Sequence, residues 1–337
     1  MGWRIGLAYN LRTSVTVGPG QPTDLGAELD TPDTVAAVRA ALVAAGHLVV
    51  DLPDAPAVWD VLARQPVDLV FNMAEGTRGE SREAQLPAVL EGLGIPYTGS
   101  GVLALAAALD KPTAKRLWQW HGVPTSPFVE LPPGAALDLP PQLSFPLFAK
   151  PAHEGSSMGV SGDSVCRDRE AFERQVRLIW EQYGQAALVE PFLPGREFTV
   201  GILGNGPHEL LPIIEVDYSA LTAAELDVNG TVYSRRFKAQ WSDMVYYRLP
   251  APLDGDRRRA IEALAVAAFT SLGCRDVGRV DVRLDGAGRP LVLEVNPLPG
   301  LTPGYSDLPR AAAAAGMDFP GLVAAIVTAA ARRLGLA

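Results

Sequence analysis

Short hydrophobic runs along this chain alternate with stretches whose hydrophobic positions recur every three to four residues. This is the pattern of buried strands separated by amphipathic helices. The run at 3–9 reads as a first buried strand. Asp30 or Thr31 then caps a helix with Pro32 in its first turn and Val35, Val38, Leu42 and Ala45 as its inner stripe. Gly46 stops that helix, and 47–51 and 67–72 read as second and third strands, so residues 1–108 form a parallel α/β lobe. A second lobe, 109–188, opens with Asp110 capping a helix at 113–121 that Gly122 ends. A Pro-rich surface connection at 131–146 follows, then a strand at 147–150, a glycine loop at 154–159, a helix at 168–183 and a strand at 187–190. The third lobe, 189–337, has strands at 198–203 and 210–216 and a polar insertion at 218–245. Its helix at 257–272 turns Ile261, Leu264, Ala265 and Ala268 inward. No internal repeat is visible.

Strict alternation returns at 279–284, is broken by the turn-rich Asp285-Gly286-Ala287-Gly288, and resumes at 291–296, which predicts a hairpin. Arg279 and Asp281 share one face, Glu294 and Asn296 share a face of the return strand, and paired residues summing to 575 would set Asp281 opposite Glu294. Two carboxylates and an amide carbonyl converging there suit a hard cation such as Mg²⁺. The alternative is a solvated polar face with Arg279 as its ion-pair partner. The loop Glu154-Gly155-Ser156-Ser157-Met158-Gly159 follows a strand ending in Lys150 and suits phosphate binding by backbone N–H groups. The same residues fit the Gly-x-Ser-x-Gly elbow of serine hydrolases with Ser157 as nucleophile, or a plain flexible loop. Against the elbow, 160–163 reads as strand and turn, and only His208 follows as a base. No Gly-Lys pair occurs, which excludes a Walker A loop, and Thr98-Gly99-Ser100-Gly101 is half a dinucleotide fingerprint without its third glycine. His47, His121, His153 and His208 lack metal-ligand spacing. Trp3, Trp59, Trp118, Trp120 and Trp180 are expected in the core and Trp241 in a lid.

Composition narrows the class. The 337 residues, 48% hydrophobic and 20% charged with 33 Gly and 29 Pro, suffice for two domains or three lobes and are not low-complexity. A net charge of −9 disfavours nucleic-acid binding through phosphate contacts. Two cysteines, no secretory pattern and a longest apolar run at 322–331, about half a bilayer span, predict a cytoplasmic protein with no membrane partner.

Taken together, these motifs resemble the ATP-grasp superfamily and, within it, the D-alanine:D-alanine ligase family, from residue 3 to about 335. The resemblance rests on Gly76-x-x-Gly79-Glu80 with Gln85, on Gly94 to Gly101, on Asp110-Lys111, on Lys150-Pro151 with Glu154-Gly155-Ser156-Ser157, and on Glu294-Val295-Asn296-Pro297. It implies a three-lobed ATP-grasp fold with ATP between the second and third lobes. The implied activity is ADP-forming ligation of a carboxylate to an amine through an acyl phosphate. Lys111 and Lys150 are implied to bind phosphate, with Glu154, Ser156 and Ser157 in the glycine loop. Glu190, Phe192 and Leu193 are implied at the adenine hinge, Glu197 on the ribose, and Lys238 as a lid lysine reaching the γ-phosphate. Asp281, Glu294 and Asn296 are implied to hold Mg²⁺, two ions, or Mn²⁺, with Arg279 polarising the acyl group. A homodimer and amino-acid-like small-molecule substrates are implied as well. On the substrate side the resemblance points to Arg279, the Gly300 backbone and Glu80, with Glu28 and Asp30 nearest the family's amino-terminal glutamate. Several positions depart from the family pattern: Ala239 follows Lys238 where a tyrosine is usual, Glu75 precedes Gly76 where histidine is usual, and Ser81-Arg82 replaces Asp-Gly. Tyr305, with Ser306 beside it, stands where a serine grips the acceptor. The remaining alternative within this fold is an ATP-binding protein without ligase activity.

Overall fold

The computed structural model describes residues 2–18, 20–53, 57–222, 225, 231–234, 237 and 247–336. In the first lobe, β1 (Arg4–Ala8), β2 (Leu48–Leu52) and β3 (Leu69–Asn72) form a parallel sheet in the order β2-β1-β3. The connections are α1 (Pro32–Ala44) and α2 (Ala57–Arg64). Of the two candidate caps the chain uses Thr31, whose Oγ1 accepts from Thr34 N at 3.2 Å. Val35, Val38 and Leu42 are buried as the stripe requires, but Ala45 is exposed because the helix has already ended there. α3 (Arg82–Leu93) and α4 (Val102–Leu109) lead out of the lobe.

The second lobe is an antiparallel sheet in the order β4-β7-β5-β6, made of β4 (Val129–Leu131), β5 (Leu147–Pro151), β6 (Val165–Cys166) and β7 (Ala187–Pro191). All five β7 residues pair with β5, so the 188/189 lobe boundary expected from sequence falls inside this strand. The preceding α5 (Lys111–Trp120) is capped by Asp110, which accepts from Thr113 N at 2.7 Å. It packs on the third lobe, with Ala114 and Trp118 in a core alongside Phe269 and Val280. Trp120 is 85% exposed and Trp59 44%, contrary to the core expected for them. Two residues on from Trp118 is the opposite side of a helix, so only one of that pair is buried. α6 (Arg169–Tyr183) covers the sheet with Phe172, Val176 and Ile179.

The third lobe is a six-stranded antiparallel sheet, β11-β10-β8-β12-β13 with β9 on β8. Its strands are β8 (Glu197–Leu203), β9 (Glu209–Leu210), β10 (Ile214–Val216), β11 (Tyr247–Arg248), β12 (Val277–Leu284) and β13 (Pro290–Asn296). The single strand expected at 210–216 is split in two around Pro212, which has no N–H for a ladder. α7 (Gly255–Ser271) buries Ile261, Leu264, Ala265 and Ala268 on this sheet. α8 (Asp307–Ala314) and α9 (Phe319–Leu334) follow, and α9 returns Leu322, Val323 and Ile326 to the core containing Val35, Val38 and Leu42 of α1. Among the described residues no single helix is long and apolar enough to cross a membrane. Lys238 and Trp241, expected in a lid, lie outside the described residues.

Candidate nucleotide and substrate site

The hairpin β12–β13 has the register expected from the alternation: Arg279 pairs with Asn296, Val280 with Val295 and Asp281 with Glu294. Immediately beyond, the register shifts so that Val282 faces Val292. The extra residue of this bulge brings Leu293 and Glu294, neighbours in sequence, into one cleft. Arg279 donates to both oxygens of Asp281, at 3.0 and 2.8 Å, and lies 3.7 Å from Asp307 and 4.0 Å from Glu294. Burial opposes its charge, but Asp281 and Asp307 outweigh it and keep the guanidinium firmly charged. Asp281 also accepts from Thr199, and the Asn296 amide lies 3.4 Å from it and 3.5 Å from Glu294. Burial raises the Asp281 pKa against the pull of Arg279, and the Glu294 charge adds to the rise.

Between the two antiparallel sheets is a cleft of about 790 Å³. Phe148, Met158, Val160, Leu193 and Leu293 give it apolar walls suited to a flat ring. At its base Glu190 sits between Lys115 at 2.7 Å and Lys150 at 3.0 Å. Burial alone would raise this carboxyl, yet the two ammonium groups hold it down to about 2. Lys111 donates to the Glu154 carbonyl and stands 4.0 Å from Glu294, and burial lowers its pKa. Glu197 accepts from Tyr218 at 2.7 Å and from Arg283 at 2.9 Å, and the Arg283 guanidinium covers the Phe192 ring at 5.1 Å. The Phe192 N–H is already bonded to Pro146 O at 3.0 Å, so this hinge residue offers the cleft a ring and no donor.

The glycine loop has Ser156 at φ 48° and Ser157 at φ 59°, a left-handed conformation disfavoured for residues other than glycine. It is held from outside: Gly159 N donates to Asp24 at 2.9 Å, and Ser157 Oγ donates to Tyr233 O at 2.8 Å. His153 is bonded instead to Asp110 and His208 to the Gly204 carbonyl, and a single 3-10 turn (Gly162–Ser164) and β6, in place of the α-helix an elbow requires, follow the loop. Among the described residues Ser157 therefore has no imidazole partner, and the hydrolase alternative fails.

A second chamber, about 650 Å³, shares Lys111 and Glu294 with the cleft and is lined by Arg279, Asn296, Ser156, Gly300 and Glu28. Arg82 grips Glu28 through two hydrogen bonds of 2.8 and 2.9 Å and also reaches Glu154 at 3.3 Å. Three expected residues are placed elsewhere. Glu80 is exposed in an outer cleft beside Arg78 and Gly79, because α3 starts two residues later and turns Glu83 inward instead. Tyr305 is 48% exposed beside Arg310, and Ser306 accepts from Thr302 N behind Gly300. The sequence reading missed Lys115, Arg283, Arg82 and Glu83. Arg283 was traceable, because alternation sets it on the strand face of Arg279 and Asp281. Lys115, one turn after Lys111, reads as a solvent-facing helix position until β7 is brought against it.

A family model for the D-ala D-ala ligase C-terminus matches residues 117–328. A D-alanine–D-alanine ligase of Pelotomaculum thermopropionicum is 34% identical over 336 residues, covering 97% of this chain and 98% of that one. One from Bordetella avium is 38% identical over 267 residues, 79% of this chain and 78% of the relative. An uncharacterized protein of Sinorhizobium fredii is 36% identical over 276 residues, 81% and 77% of the two chains. The crystal structure of D-alanine–D-alanine ligase from Bacillus anthracis complexed with ATP superposes with a TM-score of 0.75 at 23% identity, covering 98% of both chains. At that identity the likeness shows the fold, the three-lobed ATP-grasp architecture.

Proposed function

This chain belongs to the D-alanine–D-alanine ligase family, and from that premise we propose that it joins two amino-acid-like substrates at the junction of the cleft and the Arg279 chamber. The observation that supports this reading best is the shared wall: Lys111 and Glu294 face both spaces, so a phosphate tail in one meets a carboxylate in the other.

A carboxylate is a poor electrophile, and activation requires one of its oxygens to attack the γ-phosphorus while the bond to ADP breaks. Charge gathers on the transferring group. Lys111 and Lys150 supply cations at that end of the cleft, and Lys150 stays protonated because Glu190 and Glu294 favour its charged form over the cost of burial. The residues at the hairpin fit Mg²⁺, or Mn²⁺: Asp281, Glu294 and Asn296 offer hard oxygen donors. Among the described residues no three His, Cys, Asp or Glu side chains gather to hold a metal by themselves, which suits cations bound jointly with phosphate oxygens. Two such ions would supply further neutralisation of the phosphates. The amine nitrogen then attacks the acyl carbon, and as the C–N bond forms the acyl C–O bond to phosphate breaks, so that inorganic phosphate leaves and takes up the proton the amine gives up. Arg279 and the backbone near Gly300 stabilise the oxyanion, and the Ser156–Ser157 turn shields it from water.

The test is ADP release with ATP and Mg²⁺ against D- and L-amino acids and dipeptides, with mass analysis of each positive reaction. An amide product with stoichiometric ADP is expected. Tight ATP binding with no product across the panel would instead identify a non-ligating ATP-binding protein.

A further inference from the structure

We propose that one of the two joined amino acids carries a cationic side chain, an ammonium or guanidinium, received by Glu75 and Glu83 where the first lobe closes the substrate chamber. This rests on the ligase reading and narrows its substrate class. Glu75 and Glu83 both line the 650 Å³ chamber, and a further chamber of about 470 Å³ shares Glu28, Glu75 and the loop at 297–300 with it and adds Asp30. An acidic wall therefore runs through both.

The cations nearby are already engaged. Arg82 is bonded to Glu28 and Glu154, Lys111 to the Glu154 carbonyl, and Arg279 to Asp281. Among the described residues no ion pair reaches Glu75 or Glu83. Glu83 is only 7% exposed, and its Oε2 is buried with no hydrogen-bond partner. Its side chain bonds that of Glu75, a carboxyl–carboxylate contact that must hold a proton. Burial with the neighbouring Glu28 charge lifts Glu83 to about 8 against the weaker pull of Arg82 and Lys111, and burial lifts Asp30 to about 7 against Arg12. A buried, orphaned acceptor beside a second carboxylate is costly unless a donor completes it.

The α-ammonium of an amino acid answers one of these carboxylates, and Arg82 already answers Glu28. A methyl side chain would leave the other carboxylate unpaired. A longer side chain ending in a cation reaches the Glu75–Glu83 pair and replaces the shared proton.

The experiment measures kcat/KM for ADP release with both enantiomers of lysine and ornithine against norleucine, norvaline and alanine. Norleucine and norvaline have similar reach without the amine. A preference of about a hundredfold or more for the cationic member is expected, with E83Q reducing the ratio to near one. As a measurement independent of turnover and of the variant, lysine or ornithine should raise the melting midpoint of the wild-type protein with a non-hydrolysable ATP analogue, and the neutral partners should not. Equal or better turnover of alanine or the neutral isosteres overturns this inference and leaves the ligase reading standing. ATP binding with no amide product from any amino acid overturns both.

Discussion

Glu294 is the residue on which the two halves of the site depend, because it faces the cleft and the substrate chamber and lies 4.0 Å from both Lys111 and Arg279. Glu294→Gln keeps the shape and removes the charge. ADP release should fall about a thousandfold or more while the melting midpoint changes little, and retained turnover would contradict the role assigned to it. Lys115 answers to a different measurement. It is fully buried against Glu190, so Lys115→Met should cost about 3 kcal/mol in urea unfolding, and a loss below about 1 kcal/mol would contradict the ion-pair account. The Asp281–Glu294 pairing was legible in sequence because alternation and one turn-rich interval set the register. Lys115 and Glu83 were not, since a charged helix position reads as exposed until a distant strand or chamber wall covers it.

At the scale of elements, the bulge in β12–β13 and the tight turn entering β8 aim the site. Gly195 donates to Leu284 O at 3.1 Å and accepts from Arg283 at 3.2 Å, so one turn places both Glu197 and Arg283. A Cβ at 195 would lie 2.5 Å from that carbonyl, a backbone atom that cannot swing aside. Gly195→Ala is expected to destabilise the protein by about 1–3 kcal/mol and to weaken ATP binding severalfold, checked by calorimetry. Unchanged affinity would mean that the turn does not position the Glu197–Arg283 pair. Most elements here were visible from periodicity, and the misses have local causes. Pro212 splits one strand, and the bulge adds a residue that alternation alone cannot reveal.

At the scale of the whole molecule, the lobes share cores and polar ties. Asp276, fully buried, accepts from Gly99 N of the first lobe at 2.9 Å, from Asn205 at 2.8 Å and from Arg333 of α9 at 2.9 and 2.7 Å. Arg333→Met leaves that carboxylate without its cation and should cost about 3 kcal/mol in a single unfolding transition. Two separate transitions would contradict the shared core. The acidic wall sets a pH dependence of opposite sign to that of Glu190. The buried Glu75–Glu83 pair holds its shared proton well above the value near 4.5 at which these carboxyls release it when unfolded, so its contribution is full below 4.5 and is lost as pH rises to about 8. Glu190, held down to about 2, contributes above 4.5 and loses that contribution as pH falls toward 2. The ligand-free protein should therefore lose stability between pH 5 and 8. Glu83→Gln should reduce that loss by at least about 1 kcal/mol, and an unchanged slope in denaturation at the two pH values would contradict the assignment. Such long-range couplings were hidden from sequence because they join residues far apart along the chain.

Passage through an acyl phosphate is the central claim, and oxygen transfer tests it most directly. A reacting amino acid labelled with ¹⁸O in its carboxyl group is turned over with unlabelled ATP, and the released phosphate is weighed by mass spectrometry. One ¹⁸O per phosphate is expected, because the carboxylate oxygen that attacks phosphorus leaves with it. Unlabelled phosphate beside a formed amide would contradict the account.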